Sequence, residues 1–411
     1  MNALTYTAQI ATLICAGLLS TFQAVAEVPE PVAYVTNQGG GVTVLNARTL
    51  KPLAEIAVGK DPRGLAVTSD GRWLLTANQG SADVSVVDTG TRKEIKRIAV
   101  GRNVEFMRIS PDGRRAFVTY EPSSEGGPPG KNPPTEKQDK DDAPAEVAII
   151  DLSQWAVVGR IKAARETEAI EFSPSGKLLL VANEGDNTVG VYDLPTLKQV
   201  RSVDVAPFGN RPRGIKIAPD GKTYVVTLEN SNNLLLLDAG FKPIKAVPTG
   251  QGPYGVAFDR EGRYLWVAAS RADQLQVFDA RTFAPVAAIP VGKRCWHFSF
   301  TPDAQRLLLA CGRSNSVQVI DPHKREVVDT LPGYKLPWGV VTYPTAVGSL
   351  DAPHYPPCGH ADARRCHNLY GHPDRIALGE RLAAVRAVST GLLHDQPGEG
   401  RPWKSGVGES A

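Results

Sequence analysis

The chain has 411 residues, 42% of them hydrophobic and 22% charged, so it is a folded protein with material for a sizeable core rather than a disordered or fibrous one. Forty-six basic residues against forty-three acidic ones leave a formal charge of +3, too little for the broad basic footprint that nucleic acid or an anionic membrane would need. The 39 glycines and 32 prolines exceed their usual shares of roughly 7% and 5%, which predicts many turns.

Residues 1–26 contain no Lys, Arg, Asp or Glu, hold an apolar stretch from Ile10 to Leu19, and finish Ala24-Val25-Ala26 before Glu27. That is the small-x-small pattern of a secretory signal peptide, although its first residues lack the usual positive charge. The apolar stretch falls short of the about 20 residues a membrane span takes. Cleavage after Ala26 is expected, giving a periplasmic or secreted protein with no further membrane segment. Four cysteines then remain in a compartment where disulfides persist.

From Val32 to Pro344 the chain repeats. Each unit is an apolar strand ending in Asn or its substitute, an alternating strand ending in Asp, a third strand, and a Pro-x-Gly step opening a fourth strand that runs into a Pro-Asp-Gly turn. The first strand ends at Asn37, Asn78, Tyr120, Asn183, Leu228, Ala269 and Cys311, spaced 41 to 45 residues apart except for one interval of 63. This is the period of a four-stranded propeller blade. The second strand ends at Asn46, Asp88, Asp151, Asp193, Asp238, Asp279 and Asp321. As repeat positions, these short polar side chains are read as turn caps rather than as a catalytic or metal series. The N-terminus lacks the strand preceding Val32, and Trp338–Tyr343 supplies an orphan one. The fold class is therefore an all-β, seven-bladed β-propeller of four-stranded blades over residues 27–349, closed by pairing of its two ends, followed by a Cys/His-rich tail at 350–411.

The wording of the repeats, with Tyr34-Val35-Thr36-Asn37 as its signature, resembles the YVTN family of β-propellers. Trp296–Asp303, Ser314–Asp321 and Leu336–Val341 are more narrowly similar to exported propellers associated with PQQ-dependent alcohol catabolism. That resemblance implies a periplasmic accessory role. The tryptophan-docking repeats and paired adjacent cysteines of quinoprotein enzymes are absent.

Propellers place ligands at the mouth of the central channel, so the informative residue is the x of each Pro-x-Gly step. These are Arg63, Glu105, Glu168, Arg213, Tyr254, Trp296 and Trp338, with His297 following Trp296. Further along the same strands, Arg108, Glu171 and Lys216 repeat the charges. One reading is a pocket with an aromatic side and a charged side, suited to a planar ligand with polar substituents; the other is that the charges pair around the ring and tie the blades together. Gly250-Gln251-Gly252-Pro253-Tyr254-Gly255 satisfies the dinucleotide fingerprint but belongs to the repeat and precedes a strand, so it carries no nucleotide meaning.

Residues 121–145 are rich in proline and charge and nearly devoid of apolar side chains, which predicts a disordered insertion on one face. Cys295 and Cys311 flank the hairpin centred on Asp303. If Thr301 faces Gln305, Cys295 faces Cys311, within reach of a cross-strand disulfide. In the tail, Cys358 and Cys366 are the second disulfide candidates, and His360, Cys366, His367 and His372 are the alternative as a metal or haem site. A helix is expected at about 374–392, with Asp374 as its cap.

The expected function is that of an exported, non-enzymatic binding or scaffold protein, a monomer meeting a small molecule or a periplasmic protein partner. It would be an accessory to a quinone- or cytochrome-linked oxidation system and would need no cofactor. A lactonase-type hydrolase is the enzymatic alternative by analogy of fold, and a carrier of a metal or haem-type cofactor is the third reading.

Overall fold

The computed structural model describes residues 30–121 and 144–350. The leader, nearly all of the insertion and the tail lie outside these residues, and with them Cys358, His360, Cys366, His367, His372 and the helix expected at about 374–392.

The described residues form seven four-stranded antiparallel sheets. The innermost strands are Pro337–Tyr343 in blade 1, Pro62–Val67 in blade 2, Val104–Ile109 in blade 3, Thr167–Phe172 in blade 4, Pro212–Ile217 in blade 5, Pro253–Phe258 in blade 6 and Cys295–Phe300 in blade 7. Each touches the next all the way round, Cys295–Phe300 against Pro337–Tyr343 and that strand against Pro62–Val67. The ring is closed by Val32–Asn37 pairing with Pro337–Tyr343, from Val32 opposite Tyr343 to Asn37 opposite Pro337. Closure therefore depends on main-chain bonds between the two ends of the repeat region.

The predicted strand ends are observed. The strands after each inner strand end at Asn37, Asn78, Tyr120, Asn183, Leu228, Ala269 and Cys311. The aspartate series caps turns: Asp88 accepts the Thr91 N–H at 2.7 Å, Asp279 that of Thr282 at 2.8 Å, and Asp321 those of His323 and Lys324 at 3.0 Å. These bonds to the charged form hold Asp88 and Asp279 below the ordinary carboxylate value.

Cys295 and Cys311 form the expected disulfide and face each other across the sheet. The hairpin closes one residue differently from the expected register, Phe300 opposite Leu307, and a bulge between Cys295 and Phe298 restores the pairing of the cysteines.

The inner three strands of each blade are almost entirely buried, whereas the outer strands face water. Every outer strand carries a bulge, read from the register shift against its partner. The residue left over is Leu53, Ile95, Val158, Val200, Ile244, Val286 or Val328, and these seven are the exposed large apolar side chains of the described residues, at 39% to 58% exposure.

Candidate functional site

Two backbone features aim the residues at the channel mouth. The residue before each inner strand is left-handed, and six of the seven are not glycine: Asp61, Asn103, Glu166, Arg211, Arg294 and Leu336, with φ between 47° and 64°. The chain thus turns sharply into the strand and presents the next side chains over the mouth. Three residues after the left-handed position, four blades have glycine, because the inner strands pass so close together. A Cβ on Gly64 would lie 2.6 Å from the Glu105 carbonyl, and one on Gly255 would lie 2.3 Å from that of Trp296. Buried threonines clamp neighbouring strands: Thr36 Oγ1 accepts the Gly339 N–H at 3.0 Å and donates to the Arg63 carbonyl at 2.7 Å.

The charged side of the mouth is a buried ion network. Arg63 Nη1 meets Glu105 Oε1 at 2.5 Å, and its Nε donates to Gln38 Oε1 at 3.1 Å. Arg213 bonds Glu168 and Glu184, meets Glu229 Oε2 at 2.8 Å and donates to the Tyr254 hydroxyl at 3.0 Å. Its guanidinium lies 4.7 Å above the Tyr254 ring. Arg211 adds contacts to Glu166 at 3.1 Å, Glu184 at 2.7 Å and Glu229 at 3.2 Å, and Arg271 reaches Glu229 Oε1 at 2.9 Å.

The carboxyls of this network are driven apart. Burial works against ionising Glu229, but Arg213, Arg211 and Arg271 outweigh it and hold the group at about 2. Burial pushes Glu121 up to about 8, reinforced by the charge of Glu105 and opposed by the 2.8 Å bond from Asn103 Nδ2. Glu184 is likewise pushed well above the ordinary range by burial, with Glu229, Glu166 and Glu105 adding repulsion against the pull of Arg211.

The aromatic side is packed rather than open. Trp296, Trp338 and Tyr254 are among the largest fully buried side chains. The Trp296 ring lies over Gly312, where a Cβ would stand 1.9 Å from Cζ3. His297 and Phe106 occupy the position that is glycine in four blades, and they meet across the channel with ring centroids 6.2 Å apart. Trp338 at 4.2 Å and Tyr254 at 5.3 Å complete the wall around the imidazole. His297 Nδ1 bonds Ser349 Oγ at 3.0 Å. Burial, then the charges of Lys216, Arg213 and Arg108, lower its pKa well below the ordinary histidine value, so the ring is neutral.

After the last strand, the chain turns back along blade 7. Phe300 N–H donates to the Val347 carbonyl, and Ser349 N–H to that of Phe298, each at 2.9 Å. Leu350 is thereby brought into the buried cluster that contains Trp338, Tyr254 and Phe106. Deeper in the channel, Arg108 Nη1 meets Glu171 Oε1 at 2.7 Å, and Lys216 Nζ lies 4.0 Å from Glu171 Oε2.

The structure thus brings all eleven channel residues into one axial assembly, with the charges paired round the ring. A second ring was not anticipated from the sequence: the residue after each Asn-type strand end, namely Gln38, Gln79, Glu121, Glu184, Glu229, Ser270 and Gly312. The repeat alignment already lines these residues up, and their run from Gln through three Glu to Ser and Gly follows the change from charged to aromatic mouth. A cleft of about 220 Å³ lies on the circumference between blades 7 and 1, lined by Leu45, Leu50, Pro52, Leu331 and Tyr334 among others, and none of the channel residues borders it. Among the described residues, no group of three or more His, Cys, Asp or Glu is placed to hold a metal ion, and no helix is long and apolar enough to cross a membrane.

This is the architecture of a seven-bladed propeller with a polar, internally paired mouth. The Cytochrome D1 heme domain family matches residues 142–298. Among solved structures, hydrazine synthase of Kuenenia stuttgartiensis is similar at 24% identity over 74% of this chain and 99% of that one, with a TM-score of 0.60. The dihydro-heme d1 dehydrogenase NirN follows at 20% identity over 76% of this chain and 75% of that one, TM-score 0.56. The periplasmic gluconolactonase PpgL of Pseudomonas aeruginosa is similar at 16% identity over 76% and 99%, TM-score 0.62. At these identities the likeness is one of fold. The chain matches no curated protein.

Proposed function

We propose that the chain is a periplasmic binding or scaffold propeller without catalysis of its own, serving a quinone- or cytochrome-linked oxidation system, with the channel mouth and its rim as the working face. The observation that carries this reading is the pairing of the mouth charges with one another. Arg63, Arg211 and Arg213 are each engaged by at least one carboxylate of the same face, so the mouth is a rigid polar platform rather than a set of groups poised towards solvent. The repeat wording of the YVTN type supports an exported accessory role, and the fold of the periplasmic gluconolactonase supports the location. Glu121, the last described residue before the insertion, is held at this face by Asn103 Nδ2 and by its own N–H donating to the Arg102 carbonyl.

A haem-type group is the second reading, favoured by the family match over residues 142–298. His297 has the right chemistry for an axial ligand, being neutral, with Nε2 free of any hydrogen-bond partner. The surroundings do not fit a macrocycle: Trp338, Tyr254 and Phe106 stand 4.2 to 6.2 Å from the imidazole centroid and leave no slot against Nε2.

The test is purification from the native periplasm. The expected protein is colourless, inert towards lactones, and recovered with a redox partner that is lost when the rim charges Glu166 and Arg271 are reversed. A Soret band, or lactone hydrolysis abolished by Glu184→Gln, would overturn the proposal.

A further inference from the structure

One position of the repeat lies on the rim of the mouth in every blade: the residue before the left-handed one. In chain order it is Lys60, Arg102, Arg165, Asn210, Gln251, Lys293 and Lys335. Its carbonyl accepts an N–H from the turn after the following strand, from Gly80 to Lys60 at 3.0 Å, Arg313 to Lys293 at 3.2 Å and Gly39 to Lys335 at 3.0 Å. These residues therefore stand at fixed places round the ring. Blades 4 to 6 balance their rim charges: Arg165 pairs with Asp186 at 2.8 Å, Arg211 with Glu166 and Glu229, and Arg271 with Glu229. Blades 7, 1, 2 and 3, consecutive round the ring, do not. Lys293, Lys335, Lys60 and Arg102 are all exposed, and none makes an ion pair among the described residues. The turns leading into these four inner strands hold one acid, Asp61.

Arg294, beside Lys293, is half-buried, and its Nε has no hydrogen-bond partner. Burial lowers its pKa against the pull of Glu229, and Arg271 and Arg313 add like charge. A cation so placed is costly until a carboxylate reaches it. Along the same blades the channel is shut by Trp296, Trp338, His297 and Phe106, so whatever these charges attract rests on the rim. A small anion would need donors converging on one point, and these stand one to a blade. Nucleic acid or an anionic membrane would need the broad basic footprint that a net charge of +3 denies. We propose that the rim of blades 7, 1, 2 and 3 is the docking surface for the acidic face of a partner protein, with Arg294 as the anchor and Lys293, Lys335, Lys60 and Arg102 steering and orienting it. This rests on the reading of the mouth and rim as the working face, and adds which side of the rim works and what charge it meets.

The experiment treats the full chain, in extract of its native periplasm, with a carbodiimide, which joins a lysine amine directly to a carboxylate it touches, and sequences the crosslinked peptides. Crosslinks from Lys60, Lys293 and Lys335 to aspartates and glutamates of one protein are expected. Co-purification of that protein without crosslinker should fall steeply as ionic strength rises. Reversing the rim with Lys60→Glu, Lys293→Glu and Lys335→Glu together should lower its recovery by about tenfold or more. The same reversal at Lys51, Lys93 and Lys198, exposed at the opposite ends of the blades, should leave recovery unchanged. The proposal fails if the crosslinks come from those opposite lysines, if the rim reversal leaves recovery at the parent's level, or if the rim recovers nucleic acid, phospholipid or nothing in place of a protein. A partner lost on reversing Glu166 and Arg271 but kept by the rim variant would sink this proposal and leave the reading of the mouth standing. An acidic partner without redox function, crosslinked at the rim, would do the reverse.

Discussion

Glu121 should make the protein less stable at mildly alkaline pH than at mildly acidic pH. Its carboxyl is raised to about 8 in the folded chain against an ordinary 4.5. Between these values the unfolded chain has released the proton and the folded chain still holds it, so the folded state binds more protons and stability falls as pH rises. With 1.36 kcal/mol for each pH unit, the loss from this group is roughly 5 kcal/mol across the window, complete above about pH 8. Glu184, raised for the same reason, acts in the same direction. Glu121→Gln mimics the protonated form and retains an oxygen to accept the 2.8 Å bond from Asn103. Urea unfolding of parent and variant, followed by tryptophan fluorescence at pH 5 and pH 8.5, measures the difference. Near-equal stability at pH 5 and a clear advantage for the variant at pH 8.5 are expected. Parallel profiles would refute the assignment of a proton to Glu121.

On the acid side the sign reverses for Glu229. Held at about 2, it supports folding above pH 4.5 and loses roughly 3 kcal/mol of that support as pH falls through 2, a loss that Glu229→Gln should remove from an acid-unfolding curve. Arg213→Met strands Glu168 and Glu229 beside a missing cation and should destabilise by about 3 to 5 kcal/mol in chemical denaturation, more than Arg97→Met on the surface. Gly312→Ala drives a methyl into the buried Trp296 ring and should cost about 1 to 3 kcal/mol with a shift in tryptophan emission. Removing both Cys295 and Cys311 opens a loop of 16 residues and should lower stability by at most about 3 kcal/mol, measured as the urea midpoint of the double alanine variant against the oxidised parent.

The ring is legible in the sequence because its signals are local and sevenfold. Turn caps such as Asp88 and Asp279 and the glycines beside Arg63 and Tyr254 recur at a fixed period, and the closing strand is visible as one strand missing at the front and one spare at the back. What the sequence could not convey was how far side chains reach. Trp296 and Trp338 at a mouth position suit an open aromatic wall and a packed plug equally well; only the space over Gly312 and the fold-back of Pro344–Leu350 distinguish them. The partners of Arg213 escaped for another reason. Glu184 and Glu229 follow strand ends rather than Pro-x-Gly steps, so the network joins two repeat positions that the alignment kept in separate columns.

The bulged outer strands have a consequence for how such a ring could arise at all. A propeller made by copying one unit sevenfold also copies its open sheet edge seven times, and matched edges invite one molecule to zip onto another. Here the spare residue interrupts every edge at the same register, with Val200 and Ile244 in the places of Leu53 and Val328. The duplicated piece therefore brought its own safeguard against unwanted sheet growth, and a blade could be added to the lineage without designing a new one.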